Sequence, residues 1–335
     1  MKLTTKFFSL FLALTCLLSL SLTGCGTTED SANSLSTTAP TTESTTVPVT
    51  EAPTEPSAPE FDPYTNKTWN EDGTLKFLIV GNSFSNDVME YVFDIASAAG
   101  VKDMVLGNLY IGNCNLATHL KNAREDNAAY TYYYNDFGAW IKTSKYKLSD
   151  AVKSEDWDFI AFQQAPQTCG VLDTYDDLEE LRSIVEKDCT NPKVEFVWHM
   201  TWACANDYDG SLFTTYQRDQ ETMYNAIINA TKYGVFTNEK IGRVIPNGTV
   251  MQNIRTSYWG DTITRDGLHL SLPHGRILGG ITIVAATVGI DFDTIDLSDV
   301  HSSLAEDEKF VQVALESVKN AMENPYSVTQ SKITK

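Results

Sequence analysis

Residues 75–85 read LKFLIVGNSFS, an apolar run that ends at a glycine and is followed by small polar residues. The apolar residues 77–80 predict a buried strand, and the apolar periodicity of residues 86–99 predicts a helix directly after it. In open parallel sheets, ligands tend to bind where the carboxyl ends of strands meet helix N-termini. Ser83 therefore has two interpretations: a helix cap, or a nucleophile beside helical N–H groups that favour a developing anion.

Strand and helix patterns alternate along the rest of the chain. Apolar runs predict further strands at residues 101–110, 158–163, 194–199 and 242–246. Helical periodicity predicts helices at residues 116–128, 175–189, 211–233, 275–288 and 306–322. The aromatic segment 130–147 contains a turn signal and predicts an antiparallel excursion. This alternation indicates a doubly wound α/β sandwich with a largely parallel sheet.

Residues 1–25 have the pattern of an export signal. Two lysines precede an apolar run at residues 7–22, which leads into Leu22-Thr23-Gly24-Cys25. The run is short and contains Ser and Thr, which disfavours a membrane-spanning helix, and a plain secretory signal is the other alternative. The segment resembles a bacterial lipoprotein signal that is cleaved before Cys25, which then carries the lipid. We therefore expect an extracytoplasmic protein, lipid-anchored to the bacterial cell membrane at the cell surface.

The segment after the signal differs in composition from the remainder. Residues 26–65 consist mainly of Thr, Ser, Pro, Glu and Ala, which cannot bury enough apolar surface to order the chain. We expect a disordered linker there, followed by one domain over residues 66–335. The formal net charge of −19 argues against nucleic acid or an anionic membrane surface as a partner. Contact with a membrane is expected through the N-terminal lipid alone.

Cysteine usage gives little information. Once the signal and the lipidated cysteine are set aside, the remaining ones are Cys114, Cys169, Cys189 and Cys204. Four cysteines in an exported protein permit three pairings, and the sequence does not choose among them. Their spacing lacks a CxxC pair, which argues against zinc, and no other ligand set is evident, so we expect no metal. We expect free buried thiols, or at most one bridge.

A second polar motif follows the last predicted strand. Residues 264–269 read TRDGLH and place Asp266 three positions before His269. A serine hydroxyl becomes a good nucleophile when an imidazole takes its proton and a carboxylate orients that imidazole. Asp and His at this spacing can lie side by side on one turn. The alternative interpretation is an exposed loop pair, because so short a motif often occurs by chance.

Together these motifs resemble the SGNH (GDSL-type) hydrolases, specifically a bacterial branch whose opening block reads GNSFS. Residues 81–85 are similar to the nucleophile block, and the DGLH motif at residues 266–269 is similar to the closing block. Residues 110–116, YIGNCNL, look like the second block, and residues 157–163, WDFIAFQ, look like the strand that leads to the third. The resemblance implies a flavodoxin-like three-layer α/β/α sandwich with a mostly parallel five-stranded sheet. It also implies hydrolysis of carboxylic esters without a cofactor.

The resemblance also implies the roles of individual residues. Ser83 would attack the acyl carbon, His269 would move the proton, and Asp266 would orient His269. The oxyanion donors would be the Ser83 N–H, the N–H of Gly112 or Asn113, and the Gln163 side chain.

Two of these oxyanion positions depart from the family pattern. Asn113 stands where glycine is usual, although asparagine tolerates left-handed backbone. Gln163 stands where asparagine is usual, and its amide can donate on a longer arm. Its alternative interpretation is an amide at a strand end that pairs with backbone.

An aromatic group ends the fourth predicted strand, in Trp198-His199-Met200-Thr201-Trp202. Trp198, His199 and Trp202 are candidate substrate-binding residues, since aromatic side chains can form a wall for sugars. Packing of the loop, with a structural histidine, is the alternative.

The resulting expectation is a surface-anchored serine esterase that removes acetyl groups from O-acetylated carbohydrate. Its substrate would be a small-molecule or polysaccharide ester. Two alternatives remain: a glycan-binding lipoprotein without turnover on the same fold, or a lipase or thioesterase of the same superfamily.

Overall fold

The computed structural model describes residues 74–334. The expected signal at residues 1–25, the lipidation site Cys25 and the expected linker at residues 26–65 lie outside the described residues. Within residues 74–334, no helix is long and apolar enough to cross a bilayer.

One mixed sheet organises the described residues. Its strands are β1 (Thr74–Gly81), β2 (Asp103–Tyr110), β3 (Tyr130–Asn135), β4 (Ile141–Tyr146), β5 (Phe159–Phe162), β6 (Glu195–His199) and β7 (Ile241–Ile245). Their spatial order is β4-β3-β2-β1-β5-β6-β7. The neighbours from β2 through β1, β5 and β6 to β7 pair in parallel, whereas β3 and β4 are antiparallel additions at the β2 edge.

The expected count of five strands is wrong, because the sheet has seven. The five predicted parallel strands are present, and the antiparallel excursion is confirmed as the hairpin β3–β4. The hairpin joins the sheet because Tyr130 and Tyr132 bury their rings, while Tyr133 pairs with Asn108 of β2. Nearly all of β4 is exposed and carries two lysines, a composition that protects an edge strand from pairing with other chains.

Helices cover both faces of the sheet. They are α1 (Ser83–Met89), α2 (Val92–Ala98), α3 (Leu116–Arg124), α4 (Leu148–Lys153), α5 (Leu178–Asp188), α6 (Gln220–Ala230), α7 (Asn247–Arg255), α8 (His274–Thr287) and α9 (Glu308–Glu323). Short 3₁₀ segments occur at Leu172–Tyr175, Ser211–Tyr216 and Ser302–Glu306, and a π-helical turn at Thr231–Val235.

Two predicted helices are interrupted. The segment 211–233 is divided because Gln217 and Arg218 have φ values of 59° and 56°, a left-handed conformation that an α-helix does not continue. The helix expected over residues 86–99 begins earlier, at Ser83, and is broken between α1 and α2.

The sheet separates two apolar cores. Phe77 and Ile79 of β1 lie in one core, and Leu78 and Val80 lie in the other. Because both faces of β1 are covered, its sequence is a continuous apolar run rather than an alternating one. Helices α1, α2, α7, α8 and α9 cover the first face, and α3 to α6 cover the second. The architecture is therefore a three-layer α/β/α sandwich, with the carboxyl ends of the parallel strands at one edge.

The four cysteines of the domain are free thiols. Burial raises the pKa of each to about 12. They therefore remain un-ionised at neutral pH, which makes them poor nucleophiles.

Candidate active site

The junction between β1 and α1 leaves the Ser83 hydroxyl available. Asn82 caps the helix, since its Oδ1 accepts the Phe84 N–H at 3.0 Å. The capping role considered for Ser83 therefore belongs to its neighbour. Gly81 is required here because a Cβ at this position would lie 2.7 Å from Ser85 Oγ and 2.9 Å from Gln163 Cδ. Ser83, the first residue of α1, is half-buried at the edge of the sheet.

The DGLH motif forms a closed loop. An antiparallel bridge between Thr264 and Leu270 joins its ends. Within it, Asp266 Oδ1 accepts the backbone N–H groups of Leu268 at 2.9 Å and His269 at 2.6 Å. Gly267, which lies between Asp266 and Leu268, has a φ of 77°, and a Cβ there would lie 2.9 Å from the Tyr208 Cβ. The spacing of the motif thus reflects a turn that holds the carboxylate against the backbone of the histidine.

The structure brings the three expected catalytic residues together. His269 Nδ1 lies 2.7 Å from Asp266 Oδ2, and His269 Nε2 lies 3.0 Å from Ser83 Oγ. Because an ionised carboxylate only accepts hydrogen bonds, Nδ1 carries the proton in the neutral imidazole. The lone pair of Nε2 then faces the serine hydroxyl. A general base acting on that hydroxyl needs this tautomer.

The environment of Asp266 keeps its carboxylate ionised. Partial burial alone would raise the pKa of Asp266. Hydrogen bonds from the backbone and ring of His269 and from the Leu268 N–H outweigh it, so this pKa lies below its ordinary value. The carboxylate can therefore stabilise an imidazolium at neutral pH. The Asp266 and His269 side chains are 47% and 24% exposed, so solvent and small molecules can reach them.

A buried carboxylate, which sequence reasoning missed, joins the two halves of this site. Asp87, four residues after Ser83 on α1, is 1% exposed. Its Oδ2 accepts the Leu270 N–H at 2.9 Å, and its Oδ1 accepts Arg265 Nη1 at 3.1 Å and Arg276 Nε at 3.0 Å. The helix that carries Ser83 and the loop that carries His269 are thus held together. The available signals were an acidic residue one turn after the serine and an arginine directly before the DGLH motif.

A buried row of hydrogen-bonded side chains runs beneath the nucleophile block. Asn247 Nδ2 lies 3.1 Å from His199 Nε2, and His199 Nδ1 lies 2.8 Å from Gln163 Oε1. Gln163 Nε2 donates to Asn82 Oδ1 at 2.8 Å. All four residues are 0% exposed. We call them the amide–histidine row.

Backbone groups fix the orientation of this row. The Phe84 N–H can only donate and the Cys114 carbonyl can only accept, and these two groups bind Asn82 Oδ1 and Nδ2, respectively. Gln163 must then donate to Asn82 through Nε2 and present Oε1 to His199, so the imidazole carries its proton on Nδ1. Burial lowers the pKa of His199 to about 3, so its ring is neutral at ordinary pH.

The three expected substrate-binding residues lie inside the fold. Trp198 and Trp202 are 1% and 0% exposed, as buried as His199, and offer no face to a substrate. Trp202 instead stacks on Phe84 with ring centroids 4.0 Å apart and donates to the Leu268 carbonyl at 2.8 Å. The aromatic group therefore supports the DGLH loop from within. The sequence predicted its position at this edge of the sheet correctly, but it did not predict that other segments, such as Phe84 of α1, pack over it.

The turn after β2 is bonded to the segment that precedes Ser83. The Ile111 N–H donates to the Gly81 carbonyl at 3.2 Å, which fixes the turn to β1. Gly112 and Asn113 are exposed on it, and Asn113 has a φ of 56°, the left-handed conformation that asparagine tolerates. Hydrogen bonds therefore tie this turn to the end of β1, two residues before Ser83. Among residues 74–334, no cluster of three or more His, Cys, Asp or Glu side chains could hold a metal ion.

Comparison with known proteins places this fold in a family. The family described as "Domain of unknown function (DUF4886)" matches residues 76–301. A DUF4886 family protein from Bacteroides uniformis, of known crystal structure, is 32% identical with a TM-score of 0.74. That alignment covers 78% of this chain and 100% of the other. No curated protein matches the chain at a significant level.

More distant structures include hydrolases. A Slackia heliotrinireducens protein, provisionally assigned as an SGNH hydrolase, is 16% identical with a TM-score of 0.40, over 64% of this chain and 98% of its own. A catalytic mutant of an acetylxylan esterase from Geobacillus stearothermophilus is 11% identical with a TM-score of 0.41, over 65% and 95% of the two chains. Likenesses of this size carry no argument about activity.

Proposed function

The chain belongs to the DUF4886 family, and we propose that it is a serine esterase that hydrolyses carboxylic esters. The observation that carries the proposal is the continuous relay from Asp266 Oδ2 through His269 to Ser83 Oγ, with distances of 2.7 and 3.0 Å. Each neighbour in the relay has the hydrogen-bonding capacity that proton transfer from the hydroxyl requires.

The reaction proceeds in two halves. Ser83 Oγ forms a bond to the acyl carbon while His269 Nε2 takes its proton, and the carbonyl electron pair moves onto oxygen. Collapse of this intermediate breaks the ester bond, and the imidazolium gives its proton to the departing alkoxide. Water then attacks the acyl-serine with His269 as the base, which releases the carboxylic acid and restores the hydroxyl. Asp266 keeps the ring oriented and stabilises its charged form throughout.

Backbone N–H groups supply the oxyanion hole in this proposal. As the first residue of α1, Ser83 has an N–H without an intrahelical acceptor. The N–H of Gly112 or Asn113, on the turn beside it, is the second donor. Gln163 acts as a positioning residue, because its amide is fully buried and bound to Asn82. Two preorganised donors of this kind stabilise the developing charge of a tetrahedral oxyanion.

Labelling with a fluorophosphonate probe tests the esterase proposal. The wild-type protein should react once per chain, and peptide mapping should place the modification on Ser83. It should also release p-nitrophenol from p-nitrophenyl acetate. A protein that binds acetylated glycans yet neither reacts with the probe nor hydrolyses the ester would instead be a binding lipoprotein without turnover.

We further propose that the esterase is anchored at the bacterial cell surface and acts on O-acetylated carbohydrate. The anchor proposal is supported by the Leu22-Thr23-Gly24-Cys25 motif after an apolar run. Cys25→Ala should move the protein from the washed membrane fraction to the soluble fraction without changing its specific activity. Retention of the variant in washed membranes would contradict the anchor.

A further inference from the structure

We infer that the cleft between α1 and the hairpin β3–β4 binds the sugar ring that carries the ester. This inference rests on the proposed esterase function and adds a subsite to it. The cleft has a volume of about 250 Å³ and is lined by side chains of α1, α8, β2 and the hairpin. We call it the hairpin cleft.

The position of the hairpin cleft relative to the nucleophile follows from α1. Asn86 and Glu90 line the cleft and follow Ser83 by three and seven positions. Residues at this spacing lie on one face of a helix, so the cleft begins about one turn from the nucleophile.

Side chains also connect the cleft with the expected oxyanion turn. Tyr110 ends β2, and its hydroxyl lies 3.2 Å from where a Cβ on Gly112 would be. Its ring meets the ring of Tyr133, which lines the cleft, edge-on with centroids 6.1 Å apart. Side chains thus run without interruption from the oxyanion turn into the cleft.

The lining combines aromatic surface with fixed polar groups. Tyr133 and Trp140, both half-buried, come from the hairpin. On the α1 side, Asn86 Oδ1 accepts from Asn108 Nδ2 at 2.7 Å, so the Asn86 amino group is the part available to a ligand. This arrangement orients an amide donor opposite two aromatic rings.

A charged pair completes the rim. Arg276 Nη1 lies 3.3 Å from Glu90 Oε2, while the same guanidinium is held by the buried Asp87. A guanidinium and a carboxylate offer donors and acceptors to neighbouring hydroxyl groups.

These features fit a pyranose ring better than a fatty acyl chain. The C–H face of a sugar packs on aromatic rings while its hydroxyls bind amides and charged groups, whereas a fatty chain offers no hydrogen-bonding partner to the Asn86 amino group or to the charged pair. The volume lies below the roughly 300–1,000 Å³ typical of sites for drug-sized ligands, so a single ring is the expected occupant.

Two esters that differ in the alcohol test the inference. Xylose tetra-acetate carries a pyranose ring, whereas ethyl acetate carries neither a sugar nor an aromatic ring that could stack in the cleft. Trp140→Ala and Tyr133→Ala should lower kcat/KM for the sugar ester about tenfold more than for the sugar-free ester, because stacking on the rings is lost. The matched control is Phe137→Ala, since Phe137 is an aromatic residue of the same hairpin that is 87% exposed. It should change neither rate, and melting temperatures of all variants verify folding.

A binding measurement separates this inference from the esterase proposal. Xylose tetra-acetate titrated into the Ser83→Ala variant should bind, as seen by saturation-transfer NMR, and adding Tyr133→Ala or Trp140→Ala should weaken the affinity several-fold. If wild-type protein hydrolyses neither ester but this binding occurs, the esterase proposal fails and the subsite stands. Unchanged binding in both folded cleft variants, or an equal loss of rate for both esters, would overturn the subsite.

Discussion

Two histidines at the same edge of the sheet have opposite environments. The Nδ1–H of His269 donates to the Asp266 carboxylate, its Nε2 faces the Ser83 hydroxyl, and its side chain is 24% exposed. His199 lies between the amides of Gln163 and Asn247 and is 0% exposed. The first can exchange protons with a bound substrate, whereas the second is held neutral by burial.

The difference teaches that position at a strand end does not by itself make a histidine a base. Burial lowers the pKa of His199 to about 3, and the row contains no carboxylate to stabilise a charged ring. His269 has such a partner in Asp266, and its other ring nitrogen faces the hydroxyl of Ser83. Accordingly, we expect His269 to take part in the reaction and His199 to stabilise the folded structure.

The largest effect expected from this comparison is on turnover. His269→Ala and Ser83→Ala should each lower kcat/KM by roughly 10⁴-fold or more. The first removes the base that takes the hydroxyl proton, and the second removes the hydroxyl. The double variant should be little worse, since the parts of one catalytic unit are not additive. Rates with p-nitrophenyl acetate and melting temperatures measure this. A His269→Ala protein with a tenth of wild-type activity would remove His269 from the mechanism.

The second effect concerns the carboxylate that joins the two halves of the site. Asp87→Asn leaves Arg265 and Arg276 without their buried countercharge, which should lower the free energy of unfolding by about 3–5 kcal/mol. Urea titration measures it, and kcat of the folded protein should fall because the loop of the base is released. Glu90→Gln is the control, since the exposed Glu90 also contacts Arg276 and should change stability by less than about 1 kcal/mol. Equal stability of the two variants would contradict the role of Asp87.

The third effect is a pH dependence of stability that a histidine held neutral by burial, such as His199, should cause. The pKa of His199 falls from an ordinary 6.5 to about 3 on folding. Below pH 6.5 the unfolded chain takes up a proton that the folded chain refuses, so stability falls as the pH drops from there towards about 3. At pH 5 this amounts to roughly 2 kcal/mol.

Urea unfolding at pH 7 and pH 5 measures this loss in the wild type and in His199→Gln, which should lose less. His119→Gln is the matched comparison, because burial also lowers the pKa of His119 to about 3. His119 lies outside the amide–histidine row, so its variant should reduce the acid sensitivity without changing kcat. An unchanged acid sensitivity in His199→Gln would show that the ring is charged in the folded protein.

The smallest effect distinguishes a positioning residue from a direct donor. Gln163→Ala should lower kcat about tenfold with little change in KM, because Asn82 still has its bond to the Phe84 N–H. A side chain that touched the oxyanion directly would cost roughly 10²–10³ in kcat. A loss of that size in a stable, folded variant would return Gln163 to the oxyanion hole.

Local sequence patterns were sufficient to predict the parallel strands and the pairing of Asp266 with His269 in the DGLH motif. Apolar runs such as residues 77–80 and the turn chemistry of Asp266-Gly267-Leu268-His269 act over a few residues, so they can be read without the fold. The helix α7 was not predicted, because Asn247, Gly248, Thr249 and Asn253 have low helix propensity and read locally as loop residues, although the fold buries all four.

The remaining features depend on contacts between distant parts of the chain. Asp87 and Arg265 are 178 positions apart, and no local pattern pairs them. The burial of Trp202 likewise depends on Phe84 packing over it from another segment. The hairpin β3–β4 was recognised as antiparallel, yet its membership of the sheet depended on pairing with β2, which periodicity does not reveal.

The separation of Ser83 and His269, 186 positions along the chain, also has a consequence for the order of folding. A ribosome makes the nucleophile long before its base, so a nascent chain that ends before the DGLH loop has no relay. Contacts of such long sequence separation form slowly compared with local ones. In a refolding experiment, we therefore expect ester turnover to appear after helical circular dichroism has recovered. Recovery of esterase activity would then show when the DGLH loop docks next to Ser83. Spectroscopic signals from α1 and β1 do not show this event.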